Sequence, residues 1–266
     1  MSKITEAFQN KKAFIPCITC GDPDLETTKK LVLAMAQAGA DIIELGIPFS
    51  DPTAEGPVIQ EANERALSGG VTTDKILEMV KELRSEIETP LVFMTYANVV
   101  FSYGSHEKRD IEGGTEQFLK KAAEAGINGL ILPEVPFEEK GDFAPLCRKY
   151  GIDYISLIAP TSHDRIKMIA GEAEGFVYCV SSLGVTGVRS KITTDIGAMT
   201  ELVHSVTKVP AAVGFGISTP EQAKEIAKGA EGIIVGSAIV KLIAKYGRES
   251  VPYVADYVRS MKEAIS

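Results

Sequence analysis

Short apolar runs recur along the chain and are separated by longer segments with helical periodicity. In the longer segments, such as 26–40 and 73–87, apolar residues recur three and four positions apart, which predicts amphipathic helices. Near-continuous apolar strands that alternate with helices predict a parallel sheet covered by helices. The runs with the length of strands are 13–19, 41–47, 90–96, 128–133, 153–159, 175–180, 210–215 and 232–236.

The number of strand–helix units predicts the fold class. Eight such units in 266 residues are typical of an α/β protein with the (β/α)8 architecture, the TIM barrel. An open, doubly wound sheet is the alternative. No linker divides the sequence, so residues 1–266 are predicted to form a single domain. The longest gaps between strands follow the second, third and sixth strands, and in a barrel these segments lie on the catalytic face.

Composition narrows the class of protein. Hydrophobic residues make up 45% of the chain, enough to bury a large core. The formal net charge is −8 and no basic run is present, which argues against nucleic acid as a partner. The N-terminus lacks the apolar stretch of a signal peptide, and no segment approaches the roughly 18 apolar residues of a membrane span. We expect a cytoplasmic protein that does not bind membranes.

The cysteines and histidines do not predict a metal site. Cys17 and Cys20 form a C-x-x-C pair, a spacing found in redox and zinc sites. Cys17 lies in a predicted strand, where residues three apart point to opposite faces, and no second pair follows. We therefore favour small apolar thiols in a reduced compartment. His106, His163 and His204 lie far apart in polar contexts and are predicted on the surface.

Glu44 is the first candidate for chemistry. In the strand 41–47 it shares one side with Ile42 and Gly46, while the other side is continuously apolar and suited to packing under helices. Glu44 is therefore predicted to point into the barrel near its carboxyl-terminal mouth. Partial desolvation there raises the pKa of a carboxyl and prepares it for proton transfer near neutrality. A structural glutamate paired with a lysine is the alternative.

The loop after this strand, 48–57, carries two further acids. Its prolines and its glycine exclude a regular element. Asp51 is predicted to fix a turn or to cap the next helix. Glu55 either favours the helix N-terminus electrostatically or faces Glu44 across the mouth and forms an acid/base pair with it.

Three glycine-rich segments near the C-terminus predict a phosphate site. Segments 214–223 and 236–243 each pass from a glycine turn into a helix, where backbone N–H groups and the helix dipole attract anions. Turns after the seventh and eighth strands form the common phosphate site of such barrels. The segment 181–190 could complete this cradle or act as a lid. Together they indicate a phosphorylated ligand.

Seven motifs occur in order over nearly the whole chain and together resemble the tryptophan synthase alpha chain family. The resemblance implies a (β/α)8 barrel that is a carbon–carbon lyase and cleaves indole-3-glycerol phosphate to indole and glyceraldehyde 3-phosphate, with no metal or cofactor of its own. It also implies a beta chain as partner, in an alpha2beta2 heterotetramer. That chain carries pyridoxal phosphate and receives indole through an internal channel for tryptophan biosynthesis. The motifs are GDP (21–23), ELGIPFSDP (44–52), MTYAN (94–98), VPFEE (135–139), GVTG (184–187), GFGIS (214–218) and GSAIVK (236–241).

The resemblance also implies roles for individual residues. Glu44 matches the catalytic glutamate, which is expected to move a proton to indole C3. Glu55 matches the position of a catalytic aspartate, which interacts with the indole nitrogen as it gains positive character. Segments 48–57 and 98–101 resemble surfaces that meet the beta chain. The remaining positions are substrate-binding Tyr96, Tyr178, Thr186 and Phe215, and phosphate-binding Gly187, Gly216, Gly236 and Ser237.

The chain departs from the family pattern around the expected indole pocket. Glu55 stands where an aspartate is usual, and Thr53 replaces a usual apolar residue. Cys17 occupies a position that is commonly aromatic, and Glu134 stands where an aspartate is usual. The charged segment 105–114 has the character of an insertion on the rim that faces the partner.

These departures leave two alternatives to a lyase. The first is a catalytically weak or inactive subunit that keeps the fold and acts mainly as an allosteric partner of the beta chain. The second is another phosphate-binding barrel enzyme with a different glycerol-phosphate-like substrate.

Overall fold

Parallel strands form the frame of the molecule. The computed structural model describes residues 1–104, 111–181, 195–214 and 216–266, without the side chains of residues 111 and 112. Every strand pairing among these residues is parallel, as predicted. The strands are β1 Ala13–Thr19, β2 Ile43–Gly46, β3 Leu91–Met94, β4 Gly129–Ile131, β5 Asp153–Tyr154, β6 Leu157–Ile158, β7 Val177–Val180, β8 Ala211–Gly214 and β9 Gly232–Val235.

The sheet closes on itself through its fifth predicted strand. The strand order is β5-β4-β3-β2-β1-β9-β8-β7-β6, so the two ends of the sheet are consecutive pieces of the predicted strand 153–159. Between these pieces, Ile155 N donates to Leu130 O at 2.9 Å, and Tyr178 N donates to Ser156 O at 3.0 Å. The same stretch of chain therefore bonds to β4 on one side and to β7 on the other. The (β/α)8 barrel is confirmed, and the open doubly wound sheet is wrong.

Helices follow the strands, and several of them begin at a capping side chain. The helix after β1 starts behind Asp24, whose carboxylate accepts from Thr27 N at 2.7 Å. No described helix is long and apolar enough to cross a membrane. The α-helices are α1 Lys3–Glu6, α2 Leu25–Gln37, α3 Pro57–Ser68, α4 Thr73–Leu83, α5 Ala97–Phe101, α6 Ile111–Ala125, α7 Ala144–Lys149, α8 His163–Gly171, α9 Ile196–His204, α10 Pro220–Ile226, α11 Ser237–Tyr246 and α12 Val251–Ile265, with 3-10 helices at Phe137–Asp142 and Gly247–Glu249.

Alternate strand residues fill two separate cores. Phe14, Leu45 and Phe93 belong to the apolar layer between the sheet and the helices. Ile15 and Ile42 belong to a second cluster inside the barrel. Because side chains alternate along a strand, Glu44 points into the barrel like Ile42, as the sequence predicts. The inner face thus carries a carboxylate at the carboxyl-terminal end of an otherwise apolar column.

Candidate active site

A small cavity at the carboxyl-terminal mouth of the barrel brings most of the predicted site residues together. Its volume is about 50 Å³, and its walls come from the ends of several strands and from the segments that follow them. This is the face on which barrels of this kind place their chemistry. The predicted residues that line it are Glu44, Glu55, Tyr178, Gly216, Gly236 and Ser237.

A larger cavity of about 510 Å³ adjoins the first one. Met94 and Tyr178 line both cavities, so the two spaces meet at these side chains. The inner wall of the larger cavity is apolar and includes Leu132 and Leu157, a surface suited to a flat apolar ring. Glu134 lies on the wall and accepts a hydrogen bond from Ala97 N at 2.5 Å.

Glu44 is a buried acid with one unpartnered oxygen. Only 2% of the residue is exposed, and burial raises the pKa of its carboxyl to about 7. The adjacent Cys17 thiol opposes this rise, and the negative charge of Glu55 adds to it. No ion pair of the described residues includes Glu44, so its predicted alternative as the partner of a lysine is not supported. Among the same residues, Glu44 Oε2 has no hydrogen-bond partner.

Glu55 is held in the cavity by α3. Asn63 Nδ2 donates to Glu55 Oε2 at 2.7 Å, and Gln60 Nε2 donates to the backbone carbonyl of Glu55 at 2.7 Å. Burial raises the pKa of Glu55 to about 7, and the bond from Asn63 opposes this rise. Arg65, on the same helix, makes two bonds of 2.8 Å to the buried carboxylate of Asp22 after β1. The helix that positions Glu55 is therefore tied to the neighbouring strand end.

The prediction for Asp51 is half right. Its backbone carbonyl accepts from Thr53 N at 2.9 Å, so the residue fixes a turn as predicted. The cap of the next helix is Gly56, however, and Asp51 is exposed six residues before that helix begins. Capping by Asp51 is therefore wrong, because the turn at 51–55 separates it from α3.

Tyr96 packs against the loop that carries Glu55. It does not reach the wall of either cavity. Its hydroxyl accepts a hydrogen bond from Ala54 N at 3.1 Å, and its ring centre lies 5.2 Å from that of Phe49. Tyr96 thus anchors the segment that carries Glu55, because two residues of that segment pack on its side chain. Direct substrate contact by Tyr96 stays a prediction.

Tyr178 fills the mouth beside Glu44 because the neighbouring strand provides room for it. A Cβ atom at Gly214 of β8 would lie 2.7 Å from the Tyr178 hydroxyl oxygen, so only glycine admits this side chain. Burial, together with the charge of Glu44, raises the pKa of Tyr178 well above its usual value. The phenol is therefore neutral and available as a donor beside the acid.

The two predicted anion turns differ in how their helices begin. Thr219 and Gln222 cap α10 by a reciprocal pair of hydrogen bonds, so side chains already satisfy its first turn. Helix α11 begins at Gly236, which has no side chain to cap it, and this end lines the cavity together with Ser237. Gly216 reaches the cavity with a φ of +84°, a conformation that favours glycine. The start of α11 is therefore the stronger anion site.

Three predicted site residues and most of the predicted insertion lie where the structure gives no description. Thr186, Gly187 and Phe215 lie outside the described residues, as does 105–110 of the segment 105–114. His163 and His204 are exposed, as predicted, and His106 lies outside the described residues. All four cysteines are free, and Cys20 packs in the outer core. No group of three or more His, Cys, Asp or Glu among the described residues could hold a metal ion.

Asn63 is a functional candidate that the sequence reasoning missed. It lies on the buried stripe of α3 with Ile59, Ala62 and Ala66, where an amide needs a hydrogen-bond partner. A polar residue at helical spacing within an apolar stripe was the available signal. Its partner, eight residues earlier in an irregular loop, is evident only in the folded chain.

Fold and site together define a class: (β/α)8 barrels with two buried carboxylates and an uncapped helix start at one mouth. Comparison with known proteins narrows this class. A sequence model of the tryptophan synthase alpha chain family matches residues 4–266. A tryptophan synthase alpha chain from Lacticaseibacillus casei is 45% identical over 265 residues, covering 100% of this chain and 96% of that protein. The chain therefore belongs to the tryptophan synthase alpha chain family.

Solved structures agree with this assignment. Tryptophan synthase subunit alpha from Legionella pneumophila superposes with a TM-score of 0.87 at 36% identity, covering 100% of this chain and 98% of the other. A tryptophan synthase complex from Pyrococcus furiosus contains a chain with a TM-score of 0.81 at 35% identity, covering 94% and 98%. The barrel, its length and its order of elements are thus those of the family.

Proposed function

We propose that this chain is a tryptophan synthase alpha subunit and cleaves indole-3-glycerol phosphate to indole and glyceraldehyde 3-phosphate. The observation that carries the proposal is the pairing of Glu44 and Glu55 in one cavity, each with its pKa raised to about 7. At neutral pH such a pair readily holds one proton and one negative charge, which is the state that acid/base catalysis requires.

The cleavage is a retro-aldol reaction, and the two carboxyls can supply its proton transfers. Protonated Glu44 delivers its proton to C3 of the indole ring, while the Glu55 carboxylate faces the ring nitrogen as it becomes positive. The Glu44 carboxylate then accepts the proton of the side-chain hydroxyl at C1′. The C3–C1′ bond breaks, its electron pair returns to the ring, and the hydroxyl carbon becomes the aldehyde. Glu44 ends the cycle protonated, as it began.

The phosphate end of the substrate is assigned to the start of α11. Gly236 and Ser237 open this helix at the cavity wall, where the dipole and the first backbone N–H groups favour a dianion. Gly216 contributes a close backbone approach from the turn after β8. Holding the phosphate here fixes the reacting bond relative to Glu44, which is the positioning contribution to the rate.

A beta chain is the proposed partner and the proposed carrier of pyridoxal phosphate, which gives this chain no cofactor of its own. Membership of the family supports this assembly, and so does the likeness to a chain of the Pyrococcus furiosus complex. Segment 48–57, anchored by Tyr96, is the proposed contact surface, so that partner binding acts on Glu55 directly. A single domain over residues 1–266 and a location in the cytoplasm remain predictions from the sequence.

Indole release from indole-3-glycerol phosphate tests the proposal. The purified chain is assayed alone and with a tryptophan synthase beta chain, and slow cleavage alone with faster turnover in the complex is expected. Stimulation of the beta chain without any release of glyceraldehyde 3-phosphate would select the allosteric subunit instead. Stabilisation by other glycerol-phosphate-like compounds but not by indole-3-glycerol phosphate would select a different barrel enzyme.

A further inference from the structure

Cys17 lies directly beside Glu44 in the barrel interior. The two residues are register partners on the parallel strands β1 and β2, and both side chains point into the barrel. On the other side of Cys17, a Cβ atom at Gly236 would lie 3.4 Å from the Cys17 Cβ and 3.6 Å from Sγ. The thiol therefore occupies the space between the buried acid and the start of α11, at the wall of the small cavity.

The surroundings of Glu44 leave a defined place for a donor. The groups that face it from the packed elements are Cys17 of β1, Glu55 of the loop before α3, and Tyr178 of β7. The negative charge of Glu55 disfavours ionisation of Glu44, whereas donation from the adjacent Cys17 thiol would favour it. Glu44 Oε2 has no hydrogen-bond partner among the described residues, although only 2% of Glu44 is exposed. The thiol lies beside this carboxylate on the neighbouring strand, and Oε2 is left for a ligand.

The thiol is suited to donate and unsuited to react. Burial and the charge of Glu44 raise the pKa of the Cys17 thiol well above its usual value, so it remains S–H. Its sequence neighbour in the C-x-x-C pair, Cys20, packs in the outer core on the other face of the sheet. A dithiol site is therefore excluded by the direction of the two side chains.

We propose that Cys17 is a positioning residue: its S–H donates to one carboxylate oxygen of Glu44 and turns Oε2 toward the reacting carbon of the substrate. This inference deepens the proposed function and rests on it for the identity of the reaction.

The pH dependence of indole release measures this role. Glu44 starts the cycle protonated, so the rate falls as pH rises through its pKa. A donor to the carboxylate lowers that pKa, and its loss raises it. In Cys17→Ala we expect the alkaline limb to move up by roughly half a pH unit, with kcat reduced severalfold and KM nearly unchanged, because a thiol is a weak donor. Cys17→Ser keeps a donor and should restore the wild-type limb or place it lower.

The control is Cys179→Ala, which removes a fully buried thiol from β7 on the outer face of the sheet. Its pH profile should equal that of the wild type. The positioning role would be overturned if Cys17→Ala had the same alkaline limb as the wild type. It would also be overturned if Cys17→Ser and Cys17→Ala displaced the limb equally.

An infrared titration separates this inference from the proposed reaction, because it needs no turnover. The S–H stretching band lost in Cys17→Ala should shift to lower frequency in the wild type as Glu44 ionises, and should not shift in Glu44→Gln. An S–H band whose frequency does not change with pH in the wild type would overturn the inference. If the band shifts but no indole is released, the contact stands, and both the proposed reaction and the catalytic purpose of the contact fall.

Discussion

At the residue scale, the central feature is the free-energy cost of keeping Glu44 inside the barrel. The pKa of its carboxyl rises from 4.5 to about 7 on folding. A raised acid pKa means that the folded chain binds the proton more tightly than the unfolded chain does. The associated stability is present below pH 4.5 and is lost as pH rises through 7. The burial that lowers stability at high pH also raises the pKa of the acid into the range needed for proton transfer near neutrality.

Replacing Glu44 by glutamine should therefore stabilise the protein in a pH-dependent way. Glutamine never ionises, so the gain over wild type should be absent near pH 4.5 and should reach about 3 kcal/mol in the free energy of unfolding above pH 8. Denaturant unfolding at several pH values measures it. The control is Glu61→Gln, an exposed position on α3. A gain that is the same at all pH values would mean that the ionisation of Glu44 is not its source.

At the element scale, α3 decides where the second carboxyl lies. The helix is fixed to the end of β1 by Arg65 and Asp22, and its Asn63 holds Glu55. The amide donates to the carboxylate and thereby favours the ionised form of Glu55. Helix α3, which begins just after Glu55, thus influences both the position and the charge of this site residue.

Asn63→Ala should lower the rate of indole release about 10-fold or more, since a bond to a charged group contributes roughly 1.5–3 kcal/mol. The pKa of Glu55 should rise, so the acidic limb of the pH profile should move to higher pH. Steady-state kinetics across pH measures both effects. Glu64→Ala, an exposed neighbour on the same helix, is the control and should behave as wild type. An unchanged acidic limb in Asn63→Ala would show that the amide does not set the charge of Glu55.

The elements also show what could be predicted from the sequence. Strand positions follow from the short apolar runs, and the inward direction of Glu44 follows from alternation along its strand, so both were predictable from the sequence. The split of the fifth strand into β5 and β6 was not predictable, because it depends on how that strand bonds to its neighbours on both sides. The pairing of Glu55 with Asn63, and the position of Tyr96 under the loop, depend on contacts across irregular chain that no periodicity describes.

At the scale of the whole molecule, closure of the barrel places the acids and the phosphate turn at one mouth. Glu44 comes from β2, whereas Gly236 and Ser237 follow β9, almost 200 residues later in the chain. The two strands flank β1 in the closed sheet, so the acid and the helix start lie within one small cavity. Binding of a phosphorylated ligand should therefore stabilise the fold as a unit.

Glyceraldehyde 3-phosphate should raise the melting temperature of the chain, and Ser237→Asp should remove this effect. At 100 times the dissociation constant, the expected stabilisation is about 2.7 kcal/mol. An aspartate at the start of α11 places a negative charge where the phosphate binds. The control is Ser2→Asp, at the cap of α1 and away from the cavity. Equal stabilisation of Ser237→Asp and wild type would place the phosphate elsewhere.

The central claim is that Glu44 and Glu55 act as an acid/base pair on indole-3-glycerol phosphate. The most direct measurement is the initial rate of indole release by the complex with a beta chain, across about pH 5 to 9, for wild type and Glu44→Gln. We expect a bell-shaped profile with its maximum near neutrality in the wild type. We expect a loss of at least about 10²-fold in the variant, the usual contribution of a positioned acid. A rate that does not depend on pH, or that survives in Glu44→Gln, would contradict the account.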